Sequence, residues 1–188
     1  MSSHHIVREK QEPALLILTI AEFDAEHLGQ LLEWSPTVFV SEAVYVQADA
    51  TGIKIDGVLT SSTENSYQLN TVCILSDNNY LEDGLKYFIS EGYPAVNLIT
   101  RSFVPKDFSL FVPFIDLVVY RGNKKIIAVR SGFSKWKSKG EKIELLQTAP
   151  GLRTSNLLQL GEQLFEVQND GFYSFSFESP YVFIAETI

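Results

Sequence analysis

The chain has 188 residues, 45% hydrophobic and 12% aromatic, enough to bury the core of one large domain or two small ones. Its net charge of -8 works against nucleic acid as a partner, because phosphate binding needs clustered Lys and Arg. Its one cysteine, Cys73, excludes an intramolecular disulfide, and no run is long and apolar enough for a membrane helix; a cytoplasmic protein without membrane contact is expected.

The opening MSSHHIVREKQEP has no apolar core, so it reads as no secretory signal, and His4 and His5 read as part of a solvated tail. ALLILTI (14–20) is a continuous apolar run, as in a central strand. Asp24 can cap the next segment, where Leu28, Leu31 and Leu32 share a helical face. TVFV (37–40) predicts a second strand. SEAVYVQADATG predicts a short helix ended by Gly52. IKIDGVL predicts a third strand, which runs into small hydroxyl residues, and NTVCIL (70–75) a fourth, with Cys73 as a packed core thiol. NNYLEDGLKYFISEGY is a clear helix: Leu81, Leu85, Phe88 and Ile89 share a face, Glu82 and Lys86 form an i,i+4 pair, and Gly92 ends it. AVNLIT (95–100) follows as a fifth strand. This alternation predicts a mostly parallel sheet covered by helices.

Two prolines in VPKDFSLFVPF mark a change, after which strands dominate. DLVVY and KKIIAVR flank a hairpin turn at RGNK. EKIELL, QLFEV, FYSFSFE and YVFIAE follow. Tyr173, Phe175 and Phe177 alternate with Ser174, Ser176 and Glu178, as in a half-buried strand. The expected fold class is therefore α/β plus all-β: an N-terminal α/β domain (1–112) and a small C-terminal antiparallel β-sandwich or barrel domain (113–188).

The sequence contains no P-loop, no G-x-G-x-x-G and no G-x-S-x-G elbow. With three histidines, at 4, 5 and 27, a Ser-His-Asp triad is not expected, and one cysteine without clustered histidines excludes a standard zinc site.

VFVSEAVYVQADATGIKIDGVLTSS, DNNYLEDGLKYFISEGYPAVNLI and DLVVYRGNKKIIAVR…KGEKIELLQ resemble, in order and spacing, segments of the thiamine pyrophosphokinase family. That resemblance covers nearly the whole chain. It implies transfer of a diphosphate from ATP to thiamine, with Mg²⁺ held by carboxylates, in a homodimer whose site joins the α/β domain of one subunit to the β domain of the other. The departures fall on the acids. Where the family has G-D-F-D-S, this chain has Thr60, Ser61, Ser62, Thr63 and Glu64. Against the family's D-K-T-D-L-E-K, Asp77 matches, the lysine becomes Asn78, the inner aspartate becomes Tyr80, and the second lysine becomes Asp83. A neutral hydroxyl cannot supply charge to Mg²⁺, and each lost electrostatic element costs on the order of 10²–10³ in rate. No catalytic residue and no metal ligand is therefore assigned; Mg²⁺ and ATP are expected only if the family activity is retained.

Glu42, Glu64, Asp77 and Asp83 either rebuild a metal site from new positions or are solvated acids at strand ends and a helix N-terminus. Arg101 and Lys106 are either phosphate ligands or surface charges. GFSKWKSKG (132–140) is either a ring-stacking surface, with Trp136 as the aromatic by family resemblance, or a sheet edge whose lysines block aggregation. Ser155 and Asn156 are similar to a Ser-Asn pair near the family's thiamine pocket, or simply form a turn. The sequence thus leads to a thiamine pyrophosphokinase-like protein with impaired catalysis that binds at most a thiamine-like or nucleotide ligand. The alternatives are an active diphosphokinase with relocated acids and a dimeric interaction or regulatory module without a small-molecule ligand.

Overall fold

The structure, a computed structural model, describes residues 10, 12–62 and 66–188. The chain divides into two compact units: Met1–Ser102 with Phe111–Leu117, and Phe103–Leu110 with Val118–Ile188.

In the first unit, strands β1 (Ala14–Ile17), β2 (Val38–Ser41), β3 (Gly57–Thr60), β4 (Val72–Leu75) and β5 (Ala95–Ile99) alternate with helices α1 (Ala25–Leu32), α2 (Glu42–Ala50) and α3 (Tyr80–Ser90). The order is β5-β1-β2-β3-β4, and the neighbours are parallel. The apolar run ALLI is completely buried, as a strand between two others requires. Asp24 caps α1 by accepting from the His27 amide at 3.0 Å. Helices α2 and α3 end alike. Gly52 N–H bonds Asp49 O and Ile53 N–H bonds Ala48 O; Gly92 N–H bonds Ile89 O and Tyr93 N–H bonds Phe88 O. Each is a Schellman motif with glycine at the left-handed position, φ +77° and +75°. In α3 the accompanying apolar contact is Tyr93 against Phe88, with ring centroids 5.1 Å apart.

Registry sets the site. Ser41 pairs with Leu59, and Thr60 pairs with Leu75, so β2, β3 and β4 end level with one another. Glu42, Ser61 and Ser76 each follow directly. Gly57 holds β3 in place: a Cβ there would lie 2.0 Å from the ring of Phe39, its ladder partner, which is itself packed on Phe88.

Two strand expectations change. β3 begins at Gly57, not at 53: the Ile53 amide closes the α2 cap, and the Ile55 amide donates to Gln68 Oε1 at 2.9 Å, so both isoleucines are buried outside the ladder. Cys73 is exposed rather than a packed core thiol. The cause is position: β4 is the last strand of this sheet, and Val72 and Leu75 beside Cys73 are exposed as well.

The second unit opens with a short helix, α4 (Pro105–Ser109), where proline occupies the first helical turn. Strands β6 (Asp116–Arg121), β7 (Lys124–Val129), β8 (Phe133–Lys137), β9 (Lys142–Leu145), β10 (Arg153–Ser155), β11 (Leu157–Gln159), β12 (Leu164–Val167), β13 (Gly171–Ser176) and β14 (Val182–Thr187) follow. They form two antiparallel layers, β11-β12-β9-β14-β7-β6 and β10-β13-β8. RGNK is the expected hairpin, with Arg121 opposite Lys124. Between the layers pack Val129, Ile143, Leu145, Phe165, Val167, Val182 and Ile184 from one, and Tyr173 and Phe175 from the other. This is a β-sandwich, and the alternation read from FYSFSFE is its inner face.

Candidate functional site

Glu42 opens α2 immediately after β2, where the helix N-terminus favours an anion. Its carboxylate collects donors from two other elements. Thr60 Oγ1 donates to Oε2 at 2.6 Å, and the Ser61 amide reaches the same oxygen at 2.9 Å. Ser61 Oγ donates to Oε1 at 3.0 Å, and the Tyr80 hydroxyl, at the start of α3, reaches Oε1 at 2.7 Å. Tyr67 in turn donates to Thr60 Oγ1 at 3.1 Å. Hydrogen bonds from Thr60, Tyr80 and the Ser61 amide, in that order of weight, outweigh desolvation and hold the Glu42 pKa down at about 2. Burial and the adjacent carboxylate push the Tyr80 phenol up to about 12. At neutral pH the cluster is therefore one carboxylate surrounded by protons that stay in place.

Beside it lies a cavity of about 460 Å³ lined by Ser61, Leu75, Ser76, Asp77, Asn79, Glu82, Asp83 and Lys86. Its acids are largely engaged. Ser76 Oγ donates to Asp83 Oδ2 at 2.6 Å, and Glu82 accepts from Lys86 and from Asn79, both at 2.5 Å. Asp77 is exposed at the rim.

The structure thus brings together Glu42, Ser61, Tyr80, Asp77 and Asp83 at the ends of β2, β3 and β4. Thr63 and Glu64 lie outside the described residues. Arg101 follows β5, separated from β3 by β1 and β2, and pairs with Glu22 at 3.8 Å. It stands where the strand order reverses, the usual place for a ligand crevice in an open α/β sheet. Lys106 lies on the exposed side of α4 in the second unit.

Trp136 and Ser155 lie in the second unit on one face of the β10-β13-β8 layer. Trp136 is 53% exposed and opposite Phe172, itself 68% exposed; Ser155, Ser174 and Ser134 form the adjacent cross-strand row. This face is turned away from Tyr173 and Phe175. β8 is also an edge strand, as the alternative reading of its lysines required. Asn156 plays a structural part. At φ +57° its side-chain amide accepts from the Asn169 backbone N–H at 3.0 Å and donates to Asn169 O at 2.7 Å.

Sequence reasoning passed over Tyr67, Ser76 and Phe172, and named Thr60 only as part of the motif stretch, without a role. Thr60 had a signal, as the one polar residue closing a buried strand. Phe172 had another, since it falls on the serine side of the FYSFSFE alternation. Tyr67 had none: it sits in a loop, and its role depends on where Thr60 is placed.

No protein-family profile matches the chain, and no curated protein is similar to it in sequence. Solved structures are similar in fold. Thiamine pyrophosphokinase from Bacillus subtilis superposes with a TM-score of 0.66 at 10% identity, over 93% of this chain and 97% of that one. Thiamin pyrophosphokinase from Geobacillus thermodenitrificans gives 0.67 at 7% identity, over 93% and 96%. The yeast thiamin pyrophosphokinase gives 0.62 at 10% identity, over 97% and 88%. The chain has the thiamine pyrophosphokinase fold, reached with very little shared sequence. A divalent cation does not fit the described residues of this one. Hard cations need several oxygen ligands with vacant lone pairs and negative charge. Here both Glu42 oxygens are taken by hydroxyl and amide protons, and among the described residues no three His, Cys, Asp or Glu side chains are arranged so that they could hold a metal ion.

Proposed function

We propose that this chain is a thiamine pyrophosphokinase-fold protein that has lost diphosphate transfer and retains binding of a thiamine-like or nucleotide ligand, as a cytoplasmic homodimer. The observation that carries this reading is the Glu42 carboxylate, whose oxygens accept from Thr60, Ser61 and Tyr80. Phosphoryl transfer depends on positioning and on neutralising phosphate charge, usually through metal ions. Ser61 and Tyr80 occupy positions where the resembled family has aspartates, and both point protons at Glu42 instead. Of the acids that could rebuild a metal site, Glu42 and Asp83 each have a partner already, which speaks against an active enzyme with relocated acids. Retained binding is supported by Trp136 and Phe172, two exposed aromatic residues opposite each other on neighbouring strands where a ring could stack, and by Arg101 at the strand-order reversal, where an anionic group would sit.

The test is thermal unfolding with thiamine, with thiamine diphosphate, and with ATP plus Mg²⁺, run beside a turnover assay. A ligand at 100 times its dissociation constant stabilises the folded state by about 2.7 kcal/mol. A raised midpoint without turnover, abolished by Trp136→Ala for a ring ligand or by Arg101→Ala for a phosphate ligand, is the expected result. Turnover overturns the loss of catalysis. An unchanged midpoint with every ligand overturns the binding role and leaves an interaction module.

A further inference from the structure

The β unit holds a second group of charged side chains, between its two layers. Glu186 on β14 is only 3% exposed. Its Oε1 accepts from the Tyr173 hydroxyl at 2.7 Å and its Oε2 from Lys135. Lys137 lies 4.0 Å from that Oε2 and 2.5 Å from Glu141 Oε2. Across the β14–β7 ladder from Glu186 stands Lys125, half-buried, and Tyr120 faces it from β6. Among the described residues, three ammonium groups and two carboxylates therefore share this end of the sandwich. Lys135 pairs with Glu186, and Lys137 pairs with Glu141. Lys125 is the surplus cation, and among the described residues no hydrogen bond reaches its amine. Burial first, then repulsion from Lys135 and Lys137, lowers its pKa against the opposing pull of Glu186.

We propose that Lys125 is an acylation site, taking an acyl group from an activated donor such as an acyl phosphate or acyl thioester. The neutral amine attacks the carbonyl carbon and the C–N bond forms. The bond to the phosphate or thiolate breaks, the leaving group keeps the electron pair, and the amine proton passes to solvent. The product is an uncharged amide, which leaves each remaining ammonium of the cluster with its own carboxylate. The surplus charge that makes this amine reactive is thus also what acylation removes.

The full chain is treated separately with acetyl phosphate and with a small acetyl thioester, and labelling rates at Lys125 and at exposed Lys139 are read by peptide mass spectrometry. At pH 7.5 Lys125 is expected to label faster than Lys139, since burial and repulsion from Lys135 and Lys137 leave more of its amine neutral. The ratio of the two rates should fall as pH rises toward 11 and every amine becomes neutral. The donor that shows the preference identifies the leaving-group class. Labelling of Lys125 no faster than Lys139 with both donors, or a ratio independent of pH, overturns the proposal. Lys125→Gln, by removing the surplus charge, is expected to unfold at higher denaturant concentration than the wild type; a lower midpoint overturns the surplus-charge argument.

Discussion

Glu42 and Glu186 are each a carboxylate bonded by a tyrosine hydroxyl, at 2.7 Å in both cases. They are neutralised in opposite ways. Glu42 sits at a helix start, beside two strand ends that offer amide and hydroxyl protons, and it accepts no ammonium partner among the described residues. Glu186 sits mid-sheet, in a strand flanked by β7 and β9, where the backbone is committed to its ladders, and it takes Lys135 as well as Tyr173. Local architecture therefore decides the kind of partner. A strand-end carboxylate can be held by dipoles alone, whereas one inside a β-sandwich needs a cation.

Substitutions separate the two. Glu186→Gln leaves the partly buried Lys135 without its carboxylate, and is expected to destabilise the protein by about 3 kcal/mol in denaturant unfolding. Tyr173→Phe removes a hydrogen bond to a charged, buried acceptor and should cost about 2 kcal/mol in the same measurement. Glu42→Gln is expected to cost less than either. Its signature lies in acid. The Glu42 pKa is about 2 in the folded state against 4.5 when unfolded, so its contribution is complete above about 4.5 and is lost as pH falls toward 2. The stability difference between wild type and Glu42→Gln should shrink over that window. Tyr80→Phe should have the smallest effect on stability. It should move the Glu42 titration up from about 2, which carboxyl-detected NMR can follow. A Glu42→Gln variant less stable than Glu186→Gln would break the contrast, and an unmoved Glu42 titration in Tyr80→Phe would remove the phenol from the cluster.

Much of the fold was legible because its causes are local. The 3.6-residue period of LEDGLKYFI, the Asp24 cap, the glycines after α2 and α3, and the two-residue alternation of FYSFSFE each act within a few residues, and each is present. Burial was legible only where strand order cooperated: VCIL reads as a core strand, yet lies at the sheet margin with Cys73 exposed. Of the candidate site, Ser61, Tyr80 and Glu42 were identifiable by resemblance and by position. That they bond to one another was not, because Tyr80 is 38 positions from Glu42 and Ser61 is 19. The Glu186 cluster left no sequence signal at all. Its glutamate ends an ordinary apolar strand, and Lys135 lies 51 residues away.

By itself, then, the sequence determined the element types, the caps, the inner face of the β unit and the presence of hydroxyl residues, not acids, at 61 and 63, because propensity, periodicity and residue identity are properties of short stretches. Tertiary structure alone decided that the hydroxyls at 60, 61 and 80 all turn toward one carboxylate, and that, among the described residues, Lys125 shares Glu186 with Lys135 and has no carboxylate of its own. Both outcomes depend on strand register and sheet order, which bring together charges that are remote along the chain.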